Sequence, residues 1–136
     1  MILFLDACIV IYWIEAPAPF HTRLMERLRA LRNEAPDAVF AVSRLSWLEC
    51  MVKPFRDKDQ ALADEYRAFF DAGQLTVVEL TAAVVERAAV LRANHGLRTP
   101  DALQASSALE LADDVLFLTN DRRLQKVPGL RVEIPA

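Results

Sequence analysis

Ile2-Leu3-Phe4-Leu5-Asp6-Ala7-Cys8-Ile9-Val10-Ile11-Tyr12-Trp13-Ile14, residues 2–14, is the stretch on which the fold turns. Ile2 to Leu5 is an unbroken apolar run without alternation, as expected of a β-strand buried on both faces. Asp6 interrupts it, and Cys8 to Ile14 then reads as a buried helix that ends before Pro17. A doubly buried strand that passes straight into a helix begins a crossover, so the order of strands and helices beyond residue 14 decides the architecture.

Working outward, Phe20 to Arg32 carries Leu24, Leu28 and Leu31 at helical spacing with arginines on the other face. Pro36 and Asp37 break the chain before a second strand candidate, Ala38 to Val42. Ser43 is placed to cap a helix with an apolar stripe of Leu45, Leu48, Val52 and Phe55, which Pro54 should end or kink. Asp57 begins another helix, containing Leu62, Phe69 and Phe70 and stopped by Gly73. Leu75 to Val78 is a third strand. Thr81 caps a helix that runs to His95 and closes at Gly96. Thr99 and Pro100 open the next as N-cap and first-turn proline, continuing to about Ala112. Val115 to Leu118 is a fourth strand, Arg122 to Gln125 a short helical turn, and Leu130 to Ile134 a fifth strand. Strands separated by helices imply crossover units, a mainly parallel sheet and helices on both its faces, an α/β protein.

The 136 residues fit one domain, 1–136, with a real core. Hydrophobic residues are 54% of the chain and charged residues 26%, ordinary for a globular protein. Three glycines argue against glycine-rich phosphate loops, and no repeat or low-complexity tract is visible. The apolar start is too short to span a bilayer and lacks a basic leader and cleavage site, so no membrane association and a cytoplasmic location are expected. Cys8 and Cys50 are then reduced and serve as small buried hydrophobes. Together with His21 and His95 they show no zinc-ligand spacing. The net charge of −3 gives no broad basic face, so any nucleic-acid contact must be local or carried by metal ions.

In open parallel sheets, ligands bind beyond the carboxyl ends of the strands. Asp6 follows the first strand, Glu49 lies on the helix after the second, and Asp121 follows the fourth. Asp101 sits in the first turn of the helix leading to that strand, and it joins the others only if its helix starts on the same side. Singly, each has a plain structural use. Asp6 can cap a helix, Asp101 can favour a helix dipole, and Asp121 can be a turn residue. Glu49 lies at the edge of the apolar stripe and needs a partner, with Arg56 one candidate and a metal the other. Together the four would repel one another unless a cation joined them. Hard oxygen donors without thiol or imidazole suit Mg²⁺ or Mn²⁺.

Leu5-Asp6-Ala7-Cys8 with Ile11-Tyr12, then Trp47-Leu48-Glu49, Arg98-Thr99-Pro100-Asp101-Ala102-Leu103 and Leu118-Thr119-Asn120-Asp121 resemble the PIN-domain nucleases. Within that family the chain is most similar to the VapC-type toxins of bacterial toxin–antitoxin pairs, over essentially its whole length. The resemblance implies a three-layer α/β/α sandwich around a mainly parallel five-stranded sheet and endonucleolytic cleavage of RNA with Mg²⁺ or Mn²⁺. It also implies a homodimer inhibited by a cognate antitoxin. It carries metal-site and catalytic roles onto Asp6, Glu49, Asp101 and Asp121. The family usually has Thr, Ser or Asn soon after the first aspartate, where this chain has Ala7 and Cys8. Thr119 or Asn120 is expected to orient the site in their stead. Arg122, Arg123 and Lys126 are candidates to steer the RNA backbone, or else a solvated face.

Two other readings compete. A haloacid-dehalogenase-type phosphotransferase also puts an aspartate after strand one, but needs a second aspartate where Cys8 stands. A PIN-like module that binds RNA or antitoxin without cutting is the rival from another class.

Overall fold

Four residues of β1 (Ile2–Leu5) run through the middle of a five-stranded sheet, because only a strand apolar on both sides tolerates that position. The computed structural model describes residues 1–135. After β1 come α1 (Ala7–Glu15), α2 (Ala18–Glu34), β2 (Val39–Ser43), α3 (Arg44–Arg56), α4 (Gln60–Phe70) and β3 (Leu75–Val78). The second half is α5 (Ala82–His95), α6 (Thr99–Leu111), β4 (Val115–Leu118), a 3₁₀ turn (Arg122–Lys126) and β5 (Arg131–Glu133).

The strand order is β3-β2-β1-β4-β5, and every neighbouring pair is parallel. Leu3 lies opposite Phe40 and Leu5 opposite Leu118. Winding proceeds from β1 out to β3 and then returns to the other side of β1, so the switch point lies between β1 and β4. A crevice forms at such a point, at the carboxyl ends of the strands.

Alternation along β1 divides its residues between two cores. Leu3 and Leu5 join Leu24, Tyr66 and Met51 beneath α1 to α4. Phe4 faces the other way, stacked on Phe117 with ring centroids 5.5 Å apart, under α5 and α6. Helices therefore cover both faces, and the three-layer α/β/α sandwich is what the structure has. Caps fix several starts: Ser43 Oγ accepts from Leu45 N–H at 3.1 Å, and Thr81 Oγ1 accepts from Val84 N–H at 3.3 Å. Gly96 closes α5 at φ 65°, a left-handed conformation that costs glycine little.

Two local expectations fail. The face of α3 turned to the core is Ser46, Cys50, Met51 and Pro54, whereas Leu48, Val52 and Phe55 are about half exposed. Ser46 faces inward because α3 meets α6 through a buried polar contact, Gln104 Nε2 donating to Ser46 Oγ at 2.8 Å, while Cys50 and Met51 turn into the core beneath α1 to α4. Leu48, Val52 and Phe55 are left outside. Pro54 ends the helix only two residues later, where little remains to disrupt. Thr99 is not the cap of α6 either. Arg98 takes that place in extended conformation, and Thr99 lies in the first turn with its hydroxyl accepting from Arg92 Nη1 at 2.8 Å.

Candidate active site

The carboxyl ends of β1 and β4 are locked by Asp6 N–H donating to Leu118 O at 3.0 Å. That bond fixes Asp6 at the switch point. Its carboxylate is held at both oxygens: Oδ1 accepts from Ala7 N–H at 2.8 Å, and Oδ2 accepts from the Thr119 hydroxyl at 2.7 Å. Asp6 thus caps α1, as its sequence position suggested, and belongs to the site as well. Burial raises its pKa above the ordinary aspartate value, with the neighbouring Asp101 charge adding to the shift against these hydrogen bonds.

Glu49 enters from α3 and is half-buried. It accepts from Gln104 Nε2 at 3.2 Å. Its pKa is also raised, chiefly by burial, with the Asp6 and Asp101 charges pushing the same way. The candidate partner Arg56 is elsewhere, bonded to its neighbour Asp57 at 3.0 Å, because the outer face of α3 points it to solvent.

Asp101 lies in the first turn of α6, which does start on the same side, and its Oδ2 accepts from Arg98 Nε at 3.1 Å. Asp121 lies just past β4. It accepts from Arg123 N–H at 2.9 Å and from the Arg123 guanidinium at 2.7 Å, and that guanidinium lowers its pKa. Four elements thus bring Asp6, Glu49, Asp101 and Asp121 to one open cleft of about 440 Å³. Cys8, Arg98 and Asn120 line it too.

Thr119 is fully buried and does double duty, donating to Asp6 while its oxygen accepts from Asp121 N–H at 3.0 Å. This is a hydroxyl aimed at the first aspartate, which Ala7 and Cys8 do not supply. Asn120 donates its backbone N–H to Cys8 Sγ at 3.4 Å. Cys8 therefore stands between the cleft and the core, half-buried and packed against the apolar cluster beneath α1 to α4, and not fully inside it as expected. Its thiol, buried beside the Asp6 carboxylate, is pushed up to about 11. Cys50 is the core thiol expected, 2% exposed. Of the three basic residues after Asp121, Arg123 is engaged with that carboxylate, and Arg122 and Lys126 are exposed outside the cleft lining.

Gln104 and Arg98 were not foreseen. Each had a signal in the sequence, since both stand three residues from Asp101 and share its side of the helix start. Gln104 is 2% exposed, and its Oε1 is a buried acceptor without a partner.

The donor set is all oxygen, and burial together with neighbouring carboxylate charge raises the pKa of Asp6 and Glu49, a strain that a hard divalent cation would relieve. Among the described residues, no three Asp, Glu, His or Cys side chains stand close enough to grip one ion directly. Mg²⁺ does not require that. It commonly takes one or two carboxylates and keeps several waters, so the cleft fits a hydrated ion.

A family profile described as PIN domain matches residues 3–130. No curated protein matches the sequence significantly. Among solved structures, the chain is similar to VapBC2 from Rickettsia felis bound to a DNA fragment from their promoter, at 21% identity and TM-score 0.73, covering 98% of each chain. It is similar to VapBC-1 from nontypeable Haemophilus influenzae at 18% identity and TM-score 0.75, covering 98% of this chain and 97% of that one. A toxin–antitoxin complex from Klebsiella pneumoniae aligns at 18% identity and TM-score 0.68, with 98% of each chain covered. At these identities the likeness is one of fold.

Proposed function

The chain belongs to the PIN domain family, and from that premise we propose that it is a Mg²⁺- or Mn²⁺-dependent endoribonuclease, the toxin of a type II toxin–antitoxin pair. The observation that carries this reading is the meeting of Asp6, Glu49, Asp101 and Asp121, from four separate elements, in one cleft at the switch point of the sheet. Structural carboxylates scattered for capping have no reason to converge, and convergence without a cation is costly.

Asp6 and Asp101 are the central metal holders in this reading, and Glu49 and Asp121 complete the site directly or through water. A divalent ion bound there supplies positive charge for the scissile phosphate and makes an attacking water more acidic. The carboxylates orient that water and accept its proton. The water oxygen bonds to phosphorus as the P–O3′ bond breaks, and the 3′ oxygen leaves with a proton from solvent, balancing the one the carboxylate took from the attacking water. Thr119 keeps Asp6 in one rotamer throughout, because its hydroxyl is itself fixed by Asp121 N–H. Asn120 lines the same cleft and is available to substrate. Residues 1–136 act as one nuclease unit.

The structural neighbours described as VapBC and toxin–antitoxin complexes support an antitoxin partner. The start of α1 and α2 offers it a seat. Ile11 lines the cleft, Tyr12 is half-buried, and Phe20 is 46% exposed with its ring 6.4 Å from that of Tyr12. An amphipathic segment docked there would cover the cleft mouth. The outer stripe of α3 is left for a second copy of the chain. A ribonuclease toxin meets its substrate in the cytoplasm, and that location is part of the same reading. No helix among the described residues is long and apolar enough to cross a membrane.

Incubation of the purified protein with a mixed RNA pool tests the activity. Cleavage is expected with Mg²⁺ or Mn²⁺ and none with EDTA. RNA bound but left intact under all three conditions would favour a module that binds without cutting.

A further inference from the structure

The four carboxylates of the cleft are not equivalent. Asp6 and Glu49 are held by neutral donors, the Ala7 N–H, the Thr119 hydroxyl and the Gln104 amide. Asp101 and Asp121 each hold an arginine from their own stretch of chain. The two arginines differ as well. Arg123 grips both oxygens of Asp121, adds its own backbone N–H, and is not part of the cleft lining. Arg98 touches Asp101 through Nε, lines the cleft, and is 64% exposed while Asp101 is 16% exposed.

Resting on the nuclease reading, we propose that Arg98 is a tethered counter-cation which the divalent metal displaces from Asp101, and which then binds the RNA phosphate. Arg98 holds only Oδ2 of Asp101, so the exchange is driven by charge: a divalent cation on that carboxylate repels the guanidinium 3.1 Å away and loosens the pair. Giving up the arginine costs little, because an ion pair this exposed is weak. The released guanidinium does not leave. It is anchored at the start of α6, three residues from Asp101, and its planar fork matches two phosphate oxygens. Metal binding thus uncovers a phosphate site, and RNA bound there holds Arg98 away from Asp101. Linkage makes the coupling reciprocal: each ligand tightens the other.

Arg98→Ala separates this from an ordinary surface ion pair. The residue is exposed and its side chain makes no capping bond, so the variant should fold. Mn²⁺ titrated into free wild-type and variant protein, without RNA, should bind about threefold tighter to R98A. The KM for a mixed-sequence RNA should rise about tenfold, and the slope of log affinity against log salt should fall by about one. Arg98→Lys keeps the charge and should recover the salt slope, with only part of the KM. Wild-type Mn²⁺ binding left unchanged or weakened in R98A would overturn the exchange while the nuclease reading stands. Tighter Mn²⁺ with unaltered KM and salt slope would overturn the phosphate role. Failure of wild-type protein to bind Mn²⁺ or cut RNA would remove the nuclease reading and this proposal together.

Discussion

The Thr119 hydroxyl donates to Asp6 Oδ2 at 2.7 Å across the seam between β1 and β4, joining residues 113 positions apart in the chain. Parallel pairing of these two strands in the register Leu5 to Leu118 brings the next residues, Asp6 and Thr119, side by side. The same hydroxyl oxygen accepts from Asp121 N–H, so one buried hydroxyl orients the Asp6 carboxylate and fixes the backbone that carries Asp121.

Replacing Thr119 with Val keeps shape and removes both bonds. It should cost about 1–3 kcal/mol of stability, the usual penalty for a buried donor left unpaired, and lower cleavage by about 10–100-fold. Thr119→Ser, which keeps the hydroxyl, should restore most of the activity. Chemical denaturation and single-turnover cleavage read the two effects separately. A Val variant as active as wild type would mean that Asp6 needs no help from β4.

Asp6→Asn and Asp101→Asn should each abolish RNA cleavage, because the amide keeps volume and loses the charge that holds the cation. The Asp6 carboxyl is raised above its ordinary value by burial, so without metal its ionised form opposes folding. That opposition is full above the folded pKa and fades as pH falls through it toward the unfolded value. D6N removes it at every pH, so metal-free D6N should melt no lower than wild type at neutral pH. More than about a tenth of wild-type turnover in either variant would remove that residue from the centre of the site, given that metal-site losses usually run to several kcal/mol.

Most of the scaffold was legible in the sequence because it rests on local patterns. The unalternated run of β1, the caps Ser43 and Thr81 and the stop at Gly96 each act within a few residues. The placing of the carboxylates was legible too: Asp6 and Asp121 follow strands, Asp101 starts a helix, and Glu49 lies within the helix that β2 leads into. What was not legible depends on contact between elements. Glu49 reads from its place at the edge of an apolar stripe as half-buried and in need of a partner, and it is half-buried, but the partner is Gln104 of α6 and not Arg56. Periodicity finds the large apolar side chains of a helix, and here those of α3 point outward. The pairings of Arg98 with Asp101 and Arg123 with Asp121 are short in sequence, but only the folded chain shows that Arg98 lines the cleft and Arg123 does not.

The cysteines should prove chemically quiet for different reasons. Cys50 is core, so Cys50→Ala should cost roughly 1–2 kcal/mol and leave turnover within about twofold. Cys8 stands at the cleft, but with its thiol pushed up to about 11 it is protonated at neutral pH and is not a nucleophile. The double variant Cys8→Ala, Cys50→Ala should therefore still cut RNA, and wild-type cleavage should survive iodoacetamide at pH 7. Complete loss of activity in a double variant with a cooperative melting transition would restore a role for the thiol.

Association should follow the stripe that α3 leaves uncovered. Leu48, Val52 and Phe55 stand 55%, 52% and 50% exposed, spaced to share one side of the helix, and Trp47 packs edge-on against Phe55 at 6.1 Å. Val85 and Val90 on α5 are as exposed but carry no aromatic neighbour of this kind. Aromatic anchors dominate interface energetics, and an apolar patch this continuous is uncommon on a monomer's surface. The purified protein is therefore expected to be a dimer through α3, with a light-scattering mass twice the 15.3 kDa of one chain at low micromolar concentration. Val52→Asp should give monomers, since two copies of the new charge would be buried face to face without a partner. Val85→Asp should leave the dimer intact. The reverse pattern would move the interface to α5, and a wild-type mass of one chain at every concentration would leave the α3 stripe to some other partner.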